Sequence, residues 1–176
     1  MTALEIACTV FFAVYTIIFF FVGVASSRRE RKFTTEQEKL LTPRELELLK
    51  APGSWLSGSL KLTWVGKYFV SGSVVSSLIV LVLAVNDGAS HIASVAFFSM
   101  VGIAMTCIDA FFKCESLAAV YRQAFVLADP YFVRYENRYT DRDWESKGFD
   151  KGADFDELLA MRDMCERIIA RAYGAA

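Results

Sequence analysis

Histidine, paired cysteine and proline are all scarce in this chain of 176 residues, which has three prolines, four cysteines and a single histidine, His91. No two cysteines form a C-x-x-C pair. Because a metal or haem site within one chain normally needs several His, Cys or carboxylate ligands, we predict no metal ligands and no cofactor. Phosphate-binding glycine loops, nucleophile elbows and kinase signatures are also missing, so we predict no catalytic residues and expect a protein that is not an enzyme.

A strong net charge is also lacking. The formal net charge is −1, which gives no indication of binding to nucleic acid. Apolar residues make up 55% of the chain and charged residues 22%, so apolar segments must alternate with segments that lie in water.

Long apolar runs, in contrast, are prominent. The runs 4–25, 68–85 and 92–112 together contain only two charged residues, Glu5 and Asp109. Because ~20 apolar residues at ~1.5 Å rise cross a ~30 Å hydrocarbon core, each run predicts a transmembrane helix. Residues 86–91, Asn-Asp-Gly-Ala-Ser-His, carry a turn signal and are all that separates the last two runs, which predicts a tight helical hairpin.

Basic residues are confined to two of the segments outside the runs. Segment 26–67 carries nine and the tail after Phe112 carries more, whereas residues 1–4 and 86–91 carry none. The excess of Lys and Arg on the inner side of membranes predicts an outside N-terminus and an inside C-terminus. Basic residues follow the first run rather than precede it, so we expect an uncleaved span rather than a secretory signal peptide. The nine basic residues of segment 26–67 are Arg28, Arg29, Arg31, Lys32, Lys39, Arg44, Lys50, Lys61 and Lys67.

These patterns predict an all-α membrane protein with three transmembrane helices and four successive regions. Residues 1–26 form the first transmembrane helix, and 27–67 form a basic inside loop with a short amphipathic helix. Residues 68–112 form the transmembrane hairpin, and 113–176 form an inside C-terminal extension with further helices.

Local signals predict the helices outside the membrane. Two T-x-x-E capping boxes begin at Thr35 and Thr42, and Pro52 predicts that the helix starting at residue 43 ends near residue 50. Beyond the third run, we predict that the helix continues to about residue 128 and that an irregular aromatic segment follows Pro130. An amphipathic helix is predicted from Asp154 to Gly174.

Small residues recur at helical spacing in the last two runs. Such faces allow helix backbones to approach closely in membranes, so one face can seal the hairpin and a second can meet another protein. The predicted helix-packing residues are Gly72, Ser76, Ser99, Gly102 and Thr106.

Aromatic and basic residues precede the second run. Tryptophan and lysine are enriched at the membrane–water boundary, so we interpret four residues here as interfacial anchors. These are Trp55, Trp64, Lys61 and Lys67.

Asp109 lies well inside a predicted span, where a carboxylate is a candidate for proton transfer. It is close to the end of the span, and Lys113 follows four residues later, where the two side chains can pair. We favour the structural interpretation of Asp109 and keep a functional acid as the alternative.

The predicted function is that of a non-catalytic structural accessory subunit, which assists assembly and stabilisation of a large multi-subunit membrane complex. The expected assembly is a respiratory-chain complex or ATP synthase of the mitochondrial inner membrane, with the C-terminus in the matrix. Expected partners are the other membrane-protein subunits and structural lipids.

Two alternatives remain open. The first is a small homo-oligomeric transporter or channel subunit that uses Asp109. The second is a membrane enzyme or haem-binding protein centred on His91 and Asp109. The surroundings of the second and third helices distinguish the three hypotheses. An accessory subunit predicts different chains there, a homo-oligomeric transporter predicts copies of the same chain, and an enzyme or haem-binding protein predicts a ligand.

Overall fold

The computed structural model describes residues 2–27, 32–86, 89–141 and 143–174. Within these ranges the chain is 90% helical and contains no strand. Three of its helices are long and apolar enough to cross a membrane, which confirms the predicted all-helical class with three candidate spans. The basic residues Arg28, Arg29 and Arg31, and the turn residues Asp87 and Gly88, lie outside the described residues.

Six α-helices and one short 3-10 helix make up the described chain. In order, they are α1 (Ala3–Ser27), α2 (Thr35–Leu40), α3 (Pro43–Val85), α4 (Ile92–Phe112), α5 (Cys114–Tyr139), the 3-10 helix Trp144–Lys147 and α6 (Lys151–Gly174).

Helix α3 does not stop at Pro52, so the predicted short helix ending near residue 50 is wrong. A proline inside a helix removes one backbone hydrogen bond and costs about 3 kcal/mol. Pro52 is fully buried, however, and Leu48, Leu49 and Trp55 beside it are core residues. Burial of this face offsets the cost of the proline.

The capping boxes are partly as predicted. Thr42 and Glu45 form theirs, with the Thr42 amide donating to Glu45 Oε2 over 2.6 Å. The other box begins one residue earlier than predicted, because Thr34 and Gln37 exchange the two bonds at the start of α2.

Helix α4 ends at Phe112, so the predicted continuous helix to residue 128 is wrong. Lys113 adopts the left-handed conformation with φ 46° and ψ 45°, and its amide donates to the Asp109 carbonyl over 2.9 Å. Helix α5 starts at the next residue and continues past Pro130.

The aromatic segment after Pro130 is therefore largely helical rather than irregular. Its aromatic residues continue the buried face of α5, and this burial outweighs the local signal of the proline. From residue 124 onward, the buried residues of α5 are Ala124, Ala128, Phe132, Tyr135 and Tyr139.

Helix α6 ends at Gly174 as predicted but begins three residues before Asp154. Asp150 Oδ1 accepts hydrogen bonds from the amides of Gly152 and Ala153, at 3.0 and 3.1 Å. These bonds satisfy amides of the first turn, which fixes the earlier start.

Two compact units are formed by separate parts of the chain. The first unit comprises Met1–Ser27 and Lys61–Glu115, and its core contains Ile79, Leu83 and Phe98.

The second unit comprises Arg28–Leu60 and Ser116–Ala176. Its core includes Trp55, which is 5% exposed and packs edge-to-face on Phe132 at a centroid distance of 6.3 Å. Trp55 is thus a core residue, and its prediction as an interfacial anchor is wrong, because its ring is enclosed by its own unit.

Candidate functional site

Small residues on α3 and α4 form the contact between these helices in the first unit. A Cβ atom on Gly72 would lie 2.6 Å from Met105 Sδ, and one on Gly102 would lie 3.4 Å from Ser76 Cβ. A methyl group on Gly72 would require the flexible end of Met105 to shift, and one on Gly102 would touch Ser76 at van der Waals distance, so bulkier side chains at these positions do not fit without displacing their neighbours. Four of the five predicted packing residues, Gly72, Ser76, Gly102 and Thr106, lie at or beside this contact.

Hydroxyl groups add polar contacts to this packing. Ser73 Oγ and Thr106 Oγ1 share a hydrogen bond of 3.0 Å between the two helices. Ser76 Oγ is buried and has no hydrogen-bond partner in the described part of the chain. Its role is therefore its small size, which allows the Gly102 backbone to approach.

A groove of about 400 Å³ opens on the surface of α3 and α4, and we call it the hydroxyl groove. Ser99, the fifth predicted packing residue, lines it and is half-buried. Its other lining residues are Ser73, Ser77, Val80, Phe98, Gly102, Ile103, Thr106 and Cys107. Most of these side chains are small and no described residue fills the groove, which leaves it accessible to another helix.

A second groove of about 720 Å³ in the first unit is lined by residues of α1, α3, α4 and the start of α5, and we call it the charged groove. Phe19, Val70 and Val74 give it apolar walls, whereas Lys67 and Asp109 are charged. Trp64 also lines it and packs edge-to-face on Phe19 at 5.2 Å. Trp64 and Lys67 thus belong to the same groove, while Lys61 is exposed and does not line it.

Asp109 is half-buried beside Gly66, where a Cβ atom would lie 3.5 Å from Asp109 Oδ1. The predicted ion pair with Lys113 is not formed, because the left-handed conformation of Lys113 ends the helix on which the two would align. Within the described ranges, no side chain donates a hydrogen bond to the Asp109 carboxylate.

A polar cluster that the sequence analysis missed ties α1 to the start of α4. Glu5, 8% exposed, accepts hydrogen bonds from Ser94 Oγ and the Thr2 amide, both at 2.7 Å. His91 Nδ1 lies 3.3 Å from Glu5 Oε1, and His91 is 6% exposed. The T-x-x-E pattern at Thr2 was the available signal, but only the fold brings Ser94 and His91 to this carboxylate.

The second unit contains two further carboxylates with several donors. Glu45 Oε1 accepts from Tyr135 Oη at 2.6 Å and lies 2.9 Å from Lys151 Nζ. These contacts join α3, α5 and α6 around a core residue that is 6% exposed.

Asp154 Oδ2 accepts from Tyr139 Oη at 2.6 Å and from Arg138 Nη1 at 2.8 Å. Burial raises the pKa of this carboxyl, but donation from Tyr139 and Arg138 outweighs burial, so the pKa is lowered overall. Both donors come from the last turn of α5, which fixes the start of α6 against it. The sequence predicted Glu45 only as part of a capping box and Asp154 only as a helix start, because folding alone brings the more distant donors to them.

Metal chemistry has no candidate centre in residues 2–27, 32–86, 89–141 and 143–174, where no three His, Cys, Asp or Glu side chains are grouped to hold an ion. Cys114 and Cys165 are buried and Cys8 is half-buried, whereas Cys107 is exposed. No protein-family model, curated protein or solved structure matches this chain.

Proposed function

We propose that this protein is a non-catalytic structural accessory subunit of a large membrane complex. The observation that carries the proposal is the hydroxyl groove, which presents small side chains on the surface of two helices long and apolar enough to span a membrane. Small residues on a membrane helix mark the positions where another helix can approach closely.

The occupant that best fits the groove is an apolar transmembrane helix of a different subunit. Ser77 Oγ donates to the Ser73 carbonyl and Thr106 Oγ1 donates to the Gly102 carbonyl, each at 3.0 Å. Because these hydroxyls are satisfied within their own helices, a partner needs no polar group to match them. Dispersion contacts with small side chains are then the main source of affinity.

The proposed topology places the N-terminus outside and the C-terminus inside, with α3 and α4 as the transmembrane hairpin. The uneven distribution of Lys and Arg supports this orientation. The proposed location is the mitochondrial inner membrane, with the second unit in the matrix, and the proposed assembly is a respiratory-chain complex or ATP synthase. Fractionation of sealed organelles tests the location separately from the partners.

Substitution of Ser99 by phenylalanine tests the partner interface. In the proposed complex, Ser99→Phe fills the hydroxyl groove and should reduce recovery of partner subunits about tenfold, which corresponds to ~1.4 kcal/mol of binding free energy. Met100→Phe is the matched control, because Met100 is 71% exposed and does not line the groove. Recovery is measured by purifying the tagged chain in a mild detergent and quantifying the proteins that co-purify.

The same purification distinguishes the alternatives. A stoichiometric set of different membrane subunits supports the accessory role. A small assembly of identical chains would overturn it and favour the transporter or channel that uses Asp109. Equal recovery of partners with Ser99→Phe and Met100→Phe would contradict the assignment of the hydroxyl groove.

A further inference from the structure

The charged groove changes character along its length. Val70 and Val74 lie within the apolar part of α3, whereas Lys67 directly precedes that part. Asp109 lies three residues before the end of α4, and close packing at Gly66 brings it against α3. The charges therefore lie together at one end of two apolar helical segments. A molecule that fills this groove must itself be polar at one end and apolar at the other.

The charges of the groove do not neutralise one another. Lys67 Nζ lies 5.7 Å from the centroid of the Trp64 ring, and it forms no ion pair with any described residue. Glu115 also lines the groove, and neither it nor Asp109 has a described cationic partner. One ammonium group and two carboxylates thus remain available, which complements a ligand that carries both a phosphate and an ammonium.

We propose that the charged groove binds a membrane glycerophospholipid whose headgroup is a primary ammonium. The lipid phosphate lies beside Lys67, the ammonium faces Asp109 and Glu115, and an acyl chain follows Val70 and Val74. At about 720 Å³, the groove is in the size range of sites that bind small molecules.

The charged residues of the groove, Lys67, Asp109 and Glu115, favour some phospholipid headgroups over others. A primary ammonium has three N–H donors for carboxylate oxygens, and such charge-assisted hydrogen bonds are strong. A choline group has no N–H donor and is held on aromatic faces, but Lys67 already lies over the Trp64 ring. A net anionic headgroup would face two carboxylates and only one lysine. Phosphatidylethanolamine is therefore the expected lipid.

Native mass spectrometry of the full chain tests this selectivity. The delipidated protein is mixed with equal amounts of phosphatidylethanolamine, phosphatidylcholine and phosphatidylglycerol that have the same acyl chains. We expect the ethanolamine lipid to be retained about tenfold more than either competitor, equivalent to ~1.4 kcal/mol. Equal retention of all three lipids, preference for phosphatidylglycerol, or no retained lipid would each overturn the proposal.

Charge variants assign the headgroup contacts. Lys67→Gln should weaken binding of all three lipids, whereas Lys61→Gln, its matched control outside the groove, should bind as the parent does. Asp109→Asn should lower the preference for ethanolamine and raise relative retention of phosphatidylglycerol. The proposal fails if Lys61→Gln and Lys67→Gln weaken binding equally, or if Asp109→Asn leaves the preference unchanged.

A shape variant tests the acyl-chain position without altering charge. Val74 is 56% exposed, so Val74→Trp should fill the groove with little effect on the core. We expect loss of all lipid binding with unchanged helical content by circular dichroism. Full lipid binding by a folded Val74→Trp variant would contradict the proposed path of the chain. Because these measurements use the isolated chain, they are independent of whether partner subunits are found.

Discussion

At the scale of single residues, the carboxylate of Asp154 stabilises the second unit by joining α6 to α5. Its two donors, Tyr139 and Arg138, lie on α5, whereas Asp154 lies in the first turn of α6. A carboxylate at a helix N-terminus also interacts favourably with the amides there. Removal of this charge should therefore loosen the attachment of α6 to α5.

Asp154→Asn should lower the free energy of unfolding by about 1.5–3 kcal/mol, the usual range for hydrogen bonds to a charged group. Asp156→Asn removes the same charge from an exposed position two residues further along α6 and should have little effect. Thermal unfolding of the two variants at neutral pH, followed by circular dichroism, measures the difference. Similar destabilisation by both would attribute the effect to helix charge rather than to the Tyr139 and Arg138 contacts.

The pH dependence follows from the lowered pKa of Asp154. A carboxyl whose pKa is lower in the folded state stabilises the fold above its unfolded pKa of ~3.9 and loses this contribution as the pH falls through the folded value. The gap in unfolding temperature between parent and Asp154→Asn should thus be constant near neutral pH and shrink below about pH 4. A gap that widens on acidification would contradict this sign.

At the scale of helices, local sequence signals account for some boundaries and not for others. The apolar runs predicted α1 and α4 closely, and Gly174 marked the end of α6. Pro52 and Pro130 predicted helix ends that do not occur. In both cases the proline favours a helix end, whereas burial of the flanking residues in the second unit favours a continuous helix. That burial depends on residues distant in sequence, which local patterns do not identify.

The candidate sites also include some features that the local sequence predicts and others that depend on tertiary packing. Periodicity was sufficient to identify Gly72, Ser76, Gly102 and Thr106 as small-residue positions. It was not sufficient to place Trp55 in a core, or to bring Ser94 and His91 to Glu5 across 89 and 86 residues of sequence. Contacts between residues so far apart depend on tertiary packing rather than on local pattern.

The break between α4 and α5 is the helix boundary that a single substitution tests best. Lys113 is the one residue other than glycine with positive φ among those described, and its left-handed backbone costs about 1–2 kcal/mol. Lys113→Gly relieves this strain and should raise the unfolding temperature by ~2–4 °C, the shift expected for ~1 kcal/mol in a chain of this size.

Lys113→Ala provides the control, because it removes the same charge but keeps the Cβ atom. We expect no rise in unfolding temperature for this variant. A rise for alanine equal to that for glycine would indicate that the lysine charge, rather than the backbone, is unfavourable at this position.

At the scale of the whole molecule, the proposed topology gives opposite accessibility for two exposed positions. Ala89 lies in the connection before α4, and Glu157 lies on α6. With the N-terminus outside and three spans, Ala89 is outside and Glu157 is inside.

The experiment introduces Ala89→Cys or Glu157→Cys into a chain that carries Cys107→Ala, since Cys107 is the exposed native thiol in the described ranges. A membrane-impermeant maleimide applied to the outer face of sealed vesicles should label Cys at position 89 and spare position 157 until detergent opens the vesicles. Labelling of position 157 alone would reverse the orientation, and labelling of both before detergent would exclude an odd number of spans between them.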